Sequence, residues 1–312
     1  MSHSLSFDTL ILGGGPAGLS AALYLGRSRK RVAVLDAGTP RHAVSKAVHN
    51  FLSRDGISPA DLRAQSWAQM KPYTTVEHVP GVYVVSLEHH DERWHATLST
   101  GEVYTAPTVL LALGLVDEHP DIPGFENFWA HSIHHCPYCH GWEMRDLPLA
   151  VLGHGDYLQH MPPLLRGWSS DVVVLTDGEP IAQEVLSGLV ALDIPVHTSK
   201  ITQLTGHEEK LRHIHFADGT TLERHGMFLH AAQRPVALVE SLGLEMNGTF
   251  VVVDAFQRTS APNLWAAGDI CAQMKQVVTA ASQGGLAGAM INMTLTTGST
   301  PAIAQPSSQE SS

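Results

Sequence analysis

The chain has 312 residues, with 19 lysine and arginine against 30 aspartate and glutamate side chains, for a formal net charge of −11. The acidic balance and the lack of a basic cluster argue against nucleic acid or an anionic membrane as a partner, and the length predicts roughly two domains. Three cysteines are too few for a disulfide-stabilised secreted scaffold, and no apolar run approaches the roughly 20 residues that span a bilayer. Without a signal-like segment, we expect a cytoplasmic protein.

The first predicted elements form a nucleotide-binding unit. A short apolar strand at residues 7–12 leads into the glycine-rich segment 13–18 and a helix of small residues, and a second strand, 31–36, ends in Asp36. This order is typical of a βαβ dinucleotide fold, whose glycines bring backbone N–H groups to a pyrophosphate. Asp36 lies at the spacing from which a carboxylate accepts ribose hydroxyls.

The next part of the chain is predicted to be β-rich. Alternating and β-branched residues over 76–109 predict a meander packed on the first sheet, and residues 108–114 predict a buried strand that ends in glycine. Prolines at 120 and 123 then interrupt regular structure, so we place a domain boundary after residue 116.

A second βαβ pattern begins at the strand 149–152, but its nucleotide-binding features are degraded. Leu158 occupies the third small position of the glycine segment, and Met161-Pro162-Pro163 is expected to interrupt the following helix. Residues 176–178 offer no arginine to pair with a 2′-phosphate. This pattern predicts a domain related to nicotinamide-binding domains that no longer binds nicotinamide.

The C-terminal part predicts a return to the first sheet. A strand at 250–254 and the segment 263–269 precede a long helix of small residues over 276–293. The segment 296–312 is rich in Thr, Ser, Pro and Gln, and we expect it to be disordered.

Cys136 and Cys139 form a CxxC pair between the two glycine-rich segments, within the octet 136–143. Such a pair can carry redox chemistry, ligate zinc with nearby histidines, attach a c-type haem or be purely structural. The haem pattern belongs to exported proteins, and zinc sites of this kind use a second ligand pair, so the position between nucleotide-binding segments favours a redox pair and no metal.

The glycine-rich segment 13–18, residues 112–114, the CxxC pair and residues 267–269 occur in an order that resembles the low-molecular-weight thioredoxin reductase family over nearly the whole chain. The resemblance implies an α/β fold of two Rossmann-like three-layer nucleotide-binding domains, the second inserted in the first. A discontinuous FAD-binding domain would contain residues 1–116 and 250–312. A degenerate NADPH-like domain, 117–249, would carry the CxxC pair. The resemblance also implies FAD as cofactor and a homodimer.

The resemblance assigns FAD contacts along the first domain. Asn50 would lie by the isoalloxazine, Asp269 by the ribityl and phosphate groups, and residues 275–277 at the flavin edge. The full set of implied FAD-binding residues is Gly13, Gly15, Pro16, Ala17, Gly18, Asp36, Asn50, Ala112, Gly114, Gly268, Asp269, Lys275, Gln276 and Val277.

The CxxC segment departs from the ordinary thioredoxin reductases. They have an alanine-threonine pair between the cysteines and an aspartate after them, whereas this chain has Pro137-Tyr138 and His140. In these features it resembles the FAD-dependent dithiol oxidases that close disulfides in natural products such as gliotoxin, holomycin and romidepsin, the romidepsin type being most similar.

This resemblance implies a reaction on a small-molecule dithiol substrate. Cys139 would face the flavin and Cys136 would exchange with the substrate, with electrons passing through FAD to molecular oxygen to give hydrogen peroxide. His140 would accept protons, because an ordinary imidazole pKa near 6.5 suits proton transfer near neutrality. The alternative is a disulfide reductase fed by NADPH, ferredoxin or another flavin, although the missing arginine pair argues against NADPH.

The sequence leaves two interpretations open for several side chains near the CxxC pair. The aromatic residues near the CxxC pair could line a substrate pocket or belong to the core; they are Phe125, Phe128, Trp129, Tyr138 and Trp142. His134 and His135 are interpreted as loop or pocket surface rather than as catalytic groups. Cys271 is interpreted as a small buried side chain.

Overall fold

The computed structural model describes residues 5–299, which form two compact units. Within these bounds the first unit contains residues 5–43, 59–116 and 234–299, and the second contains 44–58 and 117–233. None of the helices of residues 5–299 is long and apolar enough to cross a membrane.

Seven α-helices and two short 3₁₀ helices, Arg41–Val44 and Phe125–Asn127, occur in the described residues. The α-helices are α1 (Pro16–Arg27), α2 (Pro59–Met70), α3 (Pro137–His140), α4 (Tyr157–Leu165), α5 (Gln183–Ala191), α6 (Ala237–Glu240) and α7 (Val277–Thr297). The strands are β1 (Leu5–Ser6), β2 (Thr9–Leu12), β3 (Val32–Asp36), β4 (Val76–Pro80), β5 (Val84–His90), β6 (Arg93–Leu98), β7 (Val103–Ala106), β8 (Thr108–Leu111), β9 (Val116–Glu118), β10 (Ile133–His134), β11 (Leu149–Leu152), β12 (Val172–Leu175), β13 (Val196–His197), β14 (Ile201–His207), β15 (Lys210–Phe216), β16 (Thr221–Glu223), β17 (Gly226–Leu229), β18 (Ala232–Arg234), β19 (Met246–Asn247), β20 (Phe250–Val251) and β21 (Leu264–Ala266).

The first unit is built on a five-stranded parallel sheet in the order β21-β8-β2-β3-β4. Successive side chains of a strand point to opposite faces. Leu10 and Leu12 therefore pack against the β1-β7-β6-β5 sheet through Trp94, whereas Ile11 packs on the other face with Leu25 of α1. Both faces are covered, which explains why β2, β3 and β8 are buried along their full length.

The second unit repeats this three-layer arrangement. Its parallel sheet has the order β10-β17-β11-β12-β13, and a three-stranded antiparallel sheet, β14-β15-β16, covers one face. Ala150 and Leu152 pack on that face, while Leu149 and Val151 pack with α4 and α5 on the other. The α/β fold with two Rossmann-like units is confirmed.

Helix α4 corrects the expectation that Pro162 and Pro163 interrupt it. Both prolines lie inside the helix, and the Arg166 backbone N–H still donates to the Pro162 carbonyl at 3.2 Å. Proline removes a donor within a helix. Here the buried side chains of Leu158 and Leu165 hold the helix against the sheet.

The unit boundaries differ from the predicted ones in two places. Residues 44–58 group with the second unit, and residues 234–249 group with the first, where Val239 and Leu244 are buried in its core. The chain passes between the units through β9 and β18, which pair with each other.

The C-terminal elements differ in extent from the prediction. The strand expected over 250–254 is only Phe250–Val251, and α7 continues to Thr297, so the first residues of the tail expected to be disordered are helical. Residues 300–312 of that prediction lie outside the described part of the chain.

Candidate active site

The glycine-rich turn between β2 and α1 depends on close backbone approaches. Gly13 has φ 113°, and a Cβ there would lie 2.3 Å from the Ala112 carbonyl oxygen. A Cβ on Gly18 would lie 1.9 Å from the carbonyl oxygen of Gly13. Gly15 is the N-cap of α1 and Pro16 its first residue, where the missing N–H costs no helical hydrogen bond. This turn at a helix N-terminus has the form that binds a pyrophosphate.

Asp36 presents a buried carboxylate at the end of β3. It accepts hydrogen bonds from the Gly38 backbone at 2.9 Å and from Arg63 Nη2 at 2.5 Å. Burial acts to raise the pKa of Asp36, but the bond from Gly38 and the charge of Arg63 outweigh it and lower the pKa. The carboxylate is therefore ionised, as an acceptor of ribose hydroxyls must be. Arg63 lacks any sequence motif and was not predicted.

Further predicted FAD residues lie where β8 and β21 end. Gly114 and Gly268 both have positive φ, 66° and 87°, and Ala112 continues the sheet by donating to the Leu12 carbonyl at 2.8 Å. Asp269 pairs with Arg41 Nη1 at 3.3 Å. Ligands of parallel sheets bind at the carboxyl ends of the strands, and these residues occupy that edge.

Helix α7 packs closely on α1. A Cβ on Gly284 would lie 2.0 Å from the carbonyl oxygen of Ala17, so only glycine fits there. Gln276 is the N-cap of α7 and Val277 its first residue, and the Lys275 ammonium lies 5.0 Å from the centroid of the Phe250 ring. The glycine turn, the ionised Asp36 and this edge together fit the pyrophosphate and ribose of FAD.

The CxxC pair lies in the second unit, around the short helix α3. Cys136 is the N-cap of that helix, and the Cys139 backbone N–H donates to the Cys136 carbonyl at 3.2 Å. The two sulfur atoms are 2.6 Å apart and both side chains are half-buried. The helical turn therefore brings the sulfurs within reach of a disulfide bond.

Three histidines cluster next to this pair. The His140 ring stacks on His134, with 4.0 Å between centroids and 11° between planes, and His49 lies edge-on at 6.4 Å. Burial, with a smaller effect of His49, lowers the pKa of His140 to about 4, and burial lowers the pKa of His134 well below its ordinary value. The expected pKa near 6.5 for His140 is therefore wrong: both imidazoles are neutral at neutral pH.

His134 is a residue whose place the sequence did not reveal. It belongs to β10, its side chain is 3% exposed, and it is part of the core rather than of a loop surface.

Residues 44–58, which we call the 44–58 loop, make several contacts within the second unit. Ser45 Oγ lies 3.3 Å from His140 Nε2, His49 Nε2 lies 3.5 Å from a Glu143 carboxylate oxygen, and the Asn50 amide donates to the Tyr138 carbonyl at 2.6 Å. Lys46 also forms an ion pair with Glu209. The loop is closed by paired backbone bonds between Val48 and residues 56–57. The predicted position of Asn50 beside the isoalloxazine stays a prediction.

In the second glycine segment, the first and third positions are occupied by side chains of the chain itself, whereas Gly155 has nothing within 4 Å. A Cβ on Gly153 would lie 2.5 Å from the Tyr157 ring, and Leu158 is 1% exposed within the core. Beyond β12, the Asp177 carboxylate accepts the Ile201 backbone N–H at 2.6 Å. Burial and then Cys136 raise the pKa of Tyr157, so its phenol stays protonated.

The aromatic residues near the CxxC pair divide into two groups. Phe125 and Phe128 are core residues, and Trp129 packs against them, whereas Tyr138 and Trp142 are 59% and 65% exposed. Cys271 is half-buried in the first unit, and burial raises the pKa of its thiol to about 12. In the described chain no group of three His, Cys, Asp or Glu side chains is arranged to hold a metal ion.

A nucleotide site of FAD type in one unit and a CxxC pair in the other define a flavin-dependent thiol/disulfide oxidoreductase. The chain belongs to the pyridine nucleotide-disulphide oxidoreductase family, whose sequence pattern matches residues 7–284. It is similar to thioredoxin reductase tcpT of Claviceps purpurea (33% identity, 95% of this chain and 96% of tcpT) and to thioredoxin reductase sirT of Leptosphaeria maculans (32% identity, 92% and 93%).

Solved structures agree with this assignment. A Bacillus anthracis structure described as thioredoxin reductase TrxB has a TM-score of 0.89 and 35% identity over 94% of this chain and 99% of its own. The HlmI structure has a TM-score of 0.87 and 34% identity, covering 95% of this chain and 94% of HlmI. Thioredoxin reductase-like members of the family bind FAD, so the protein is a flavoprotein.

Proposed function

We propose that the protein is an FAD-dependent dithiol oxidase that forms a disulfide in a small-molecule natural product and uses molecular oxygen as the final acceptor. The observation that carries the proposal is that, in the unit with the CxxC pair, the first glycine of the second segment packs against the Tyr157 ring and the third position is the buried Leu158, whereas the first segment keeps glycine at all three positions. An enzyme that draws its electrons from the substrate dithiol needs no nicotinamide site.

The second segment lacks what NADPH recognition requires. Arginine side chains select a 2′-phosphate through paired guanidinium bonds, and the position after β12 holds the Asp177 carboxylate instead. A carboxylate repels a phosphate group. The Tyr157 ring over Gly153 also occupies space next to the turn that a pyrophosphate would approach.

The reaction would proceed by thiol-disulfide exchange at the CxxC pair in its oxidised form. A substrate thiolate attacks Cys136, the Cys136–Cys139 bond breaks, and Cys139 leaves as a thiolate. The second substrate thiolate then attacks the mixed disulfide, closes the substrate ring and releases Cys136. When bound, FAD supplies the two-electron acceptor that regenerates the enzyme disulfide and passes the electrons to oxygen, giving hydrogen peroxide.

His140 would accept the protons that the thiols lose. Thiolates rather than thiols carry out exchange, so each attack requires a proton acceptor. His140 directly follows Cys139 and is neutral, and its Nδ1 has no hydrogen-bond partner among residues 5–299. Its low pKa makes it a weak base that returns the proton readily.

A cleft of about 390 Å³ in the second unit is a candidate for substrate binding. Its lining combines Lys46 of the 44–58 loop with His131 and Glu143, which flank the CxxC pair in sequence. Tyr138 and Trp142 do not line this cleft, but both are exposed and provide apolar surface next to the cysteines in sequence. We retain a homodimer and a cytoplasmic location as predictions.

A disulfide reductase of thioredoxin type is the alternative, favoured by the names of the relatives tcpT and sirT, which are called thioredoxin reductases. Anaerobic stopped-flow absorbance separates the two functions. Purified holoenzyme is mixed with NADPH or with a small dithiol, and air is then admitted. We expect bleaching by the dithiol only, followed by reoxidation with one hydrogen peroxide per flavin.

Cysteine variants provide matched controls for this experiment. Cys139→Ser is expected to abolish bleaching by the dithiol, whereas Cys271→Ser is expected to behave as the wild type, because the Cys271 thiol lies in the first unit with a pKa of about 12. Rapid bleaching by NADPH would establish the reductase instead. If the flavin of Cys139→Ser is bleached by the dithiol at the wild-type rate, the redox pair is assigned wrongly.

A further inference from the structure

We propose that Ser45 is a positioning residue that fixes the tautomer of His140, placing the ring proton on Nε2 and leaving Nδ1 as the proton acceptor. The inference rests on the proposed function, in which His140 takes protons from thiols. It concerns two residues that lie 95 positions apart in the sequence and are joined by one contact, Ser45 Oγ to His140 Nε2 at 3.3 Å.

The direction of that contact follows from the other bond of Ser45. A serine hydroxyl has a single proton to donate. Ser45 Oγ donates it to the Ala47 carbonyl oxygen at 2.9 Å, and a carbonyl can only accept. Towards His140 the hydroxyl can therefore only accept, so the hydrogen bond requires a proton on Nε2.

The opposite ring nitrogen supports the same tautomer. His140 Nδ1 is buried and has no hydrogen-bond partner in the described part of the chain. A buried N–H without a partner is rarer and more costly than an acceptor with an unused lone pair. The Nε2–H tautomer leaves a lone pair at Nδ1, whereas the other tautomer leaves an unsatisfied donor there.

The surroundings hold the ring in place and leave it neutral. His134 stacks on one face at 4.0 Å and His49 lies edge-on. The titratable groups around His140 are these two histidines, Glu143 and Asp55, which contact His49, and the thiols of its own helix. None of these titratable groups is hydrogen-bonded to the His140 ring within the described residues, whereas the Ser45 hydroxyl is.

The proton transfer moves one proton from a thiol to His140. The S–H bond of a reacting thiol breaks, its electron pair stays on sulfur, and the proton forms a bond to Nδ1. The resulting imidazolium keeps its Nε2–H on Ser45, and Nδ1 later returns the proton to solvent or to a released thiol. A histidine whose two nitrogens have fixed roles does this without a prior tautomer exchange.

The first test reads the tautomer directly and does not depend on activity. Holoenzyme labelled with ¹⁵N-histidine is compared with His140→Gln by long-range ¹H–¹⁵N NMR at neutral pH, so that the missing signals belong to His140. We expect an Nδ1 shift of the unprotonated type in the wild type and a mixture of tautomers in Ser45→Ala. Protonated Nδ1 in the wild type would overturn the inference.

The second test measures flavin bleaching by dithiothreitol in anaerobic stopped flow over about pH 5 to 9. Loss of one neutral hydrogen bond predicts an about fivefold slower bleaching in Ser45→Ala, with the dithiol concentration dependence unchanged. Ser45→Thr keeps the hydroxyl and is expected to restore most of the rate. Ser53→Ala is the control, because Ser53 is an exposed serine of the same 44–58 loop.

The outcomes separate this inference from the proposed function. If dithiothreitol does not bleach the wild-type flavin, the oxidase proposal fails, and the NMR result alone decides the role of Ser45. If the wild type is bleached and Ser45→Ala matches it in both rate and tautomer, the oxidase stands and Ser45 has no positioning role. If Ser45→Thr is bleached as slowly as Ser45→Ala, the proposed role of the Ser45 hydroxyl would also be contradicted.

Discussion

The two glycine-rich segments follow the same strand-turn-helix pattern but differ in what fills the turn. In the first unit, Gly13 packs against the carbonyl of Ala112, and Gly18 packs against the carbonyl of Gly13. In the second, Tyr157 lies over Gly153 and Leu158 joins the core. This difference shows that a Rossmann-like unit keeps its fold when side chains replace the nucleotide-binding features of its turn. The sheet and its two covering layers are held by their own core and do not depend on a ligand.

Paired glycine substitutions test this comparison with the largest expected effect. Gly13→Ala places a Cβ 2.3 Å from a backbone carbonyl at φ 113°, so we expect colourless protein that has lost its flavin and roughly 3 kcal/mol or more of stability. Gly155→Ala is the control in the second turn, because this glycine also has a positive φ, 58°, but nothing lies within 4 Å of an added Cβ. It is expected to keep its flavin at a cost of about 1 kcal/mol.

The ratio of flavin to protein absorbance and a urea unfolding curve measure both variants. A yellow Gly13→Ala protein, or a colourless Gly155→Ala protein, would break the comparison between the two turns.

Acid should destabilise the second unit more than the first. Burial lowers the pKa of His140 to about 4 and lowers that of His134 well below its ordinary value. In the first unit, among the described histidines, only the pKa of His42 is lowered as far as about 4, mainly through burial. Between pH 4 and 6.5 the unfolded chain binds more protons than the folded one. The free energy of unfolding therefore has its full value above about pH 6.5, and the part that depends on these neutral histidines is lost as the pH falls towards 4.

His140 alone accounts for about 3 kcal/mol of this loss. Hydrogen exchange followed by mass spectrometry at pH 7 and pH 5, corrected for intrinsic rates, reports each unit separately. We expect β11 and β12 to lose more protection than β2 and β3, and His140→Gln to reduce the difference. Equal losses in the two sheets would refute this prediction.

The acidic residues after β3 and β12 give the smallest expected effect. Asp36→Asn removes the ionised carboxylate that pairs with Arg63. Since hydrogen bonds to charged groups contribute about 1.5–3 kcal/mol, we expect FAD affinity to fall about 10- to 100-fold. Asp177→Asn, the corresponding change in the second unit, is expected to leave FAD affinity unchanged. Fluorescence titration of apoprotein with FAD measures both, and equal losses would show that the second turn still takes part in cofactor binding.

The local parts of the fold were predictable from the sequence. The strand, glycine turn and helix around residues 9–27 are specified by neighbours in sequence, as is the turn that places Cys136 beside Cys139. Helix α4 was not predictable in this way. Its two prolines predict an interruption, but burial of Leu158 and Leu165 stabilises the continuous helix. Tertiary packing of this kind outweighs intrinsic propensity.

The parts of the site formed by distant residues were not predictable. Ser45 and His49 meet His140 across more than 90 positions, and nothing in one sequence marks such a contact. The sequence does not distinguish His134 from the other nineteen histidines, because its burial follows from its place in strand β10. The resemblance assigns the neighbouring Asn50 to the flavin, whereas its contact with the Tyr138 carbonyl of α3 has no signal in the sequence.

The placement of β21 and α7 has a consequence for the order in which the protein can assemble. The first sheet is completed by β21, which pairs with β8, and its helical layer by α7, whose Gly284 fits against Ala17 at the start of α1. The whole second unit emerges from the ribosome before either element exists, and domains fold as units during synthesis. The redox unit can therefore fold early, and flavin capture becomes the last step of the protein's biogenesis.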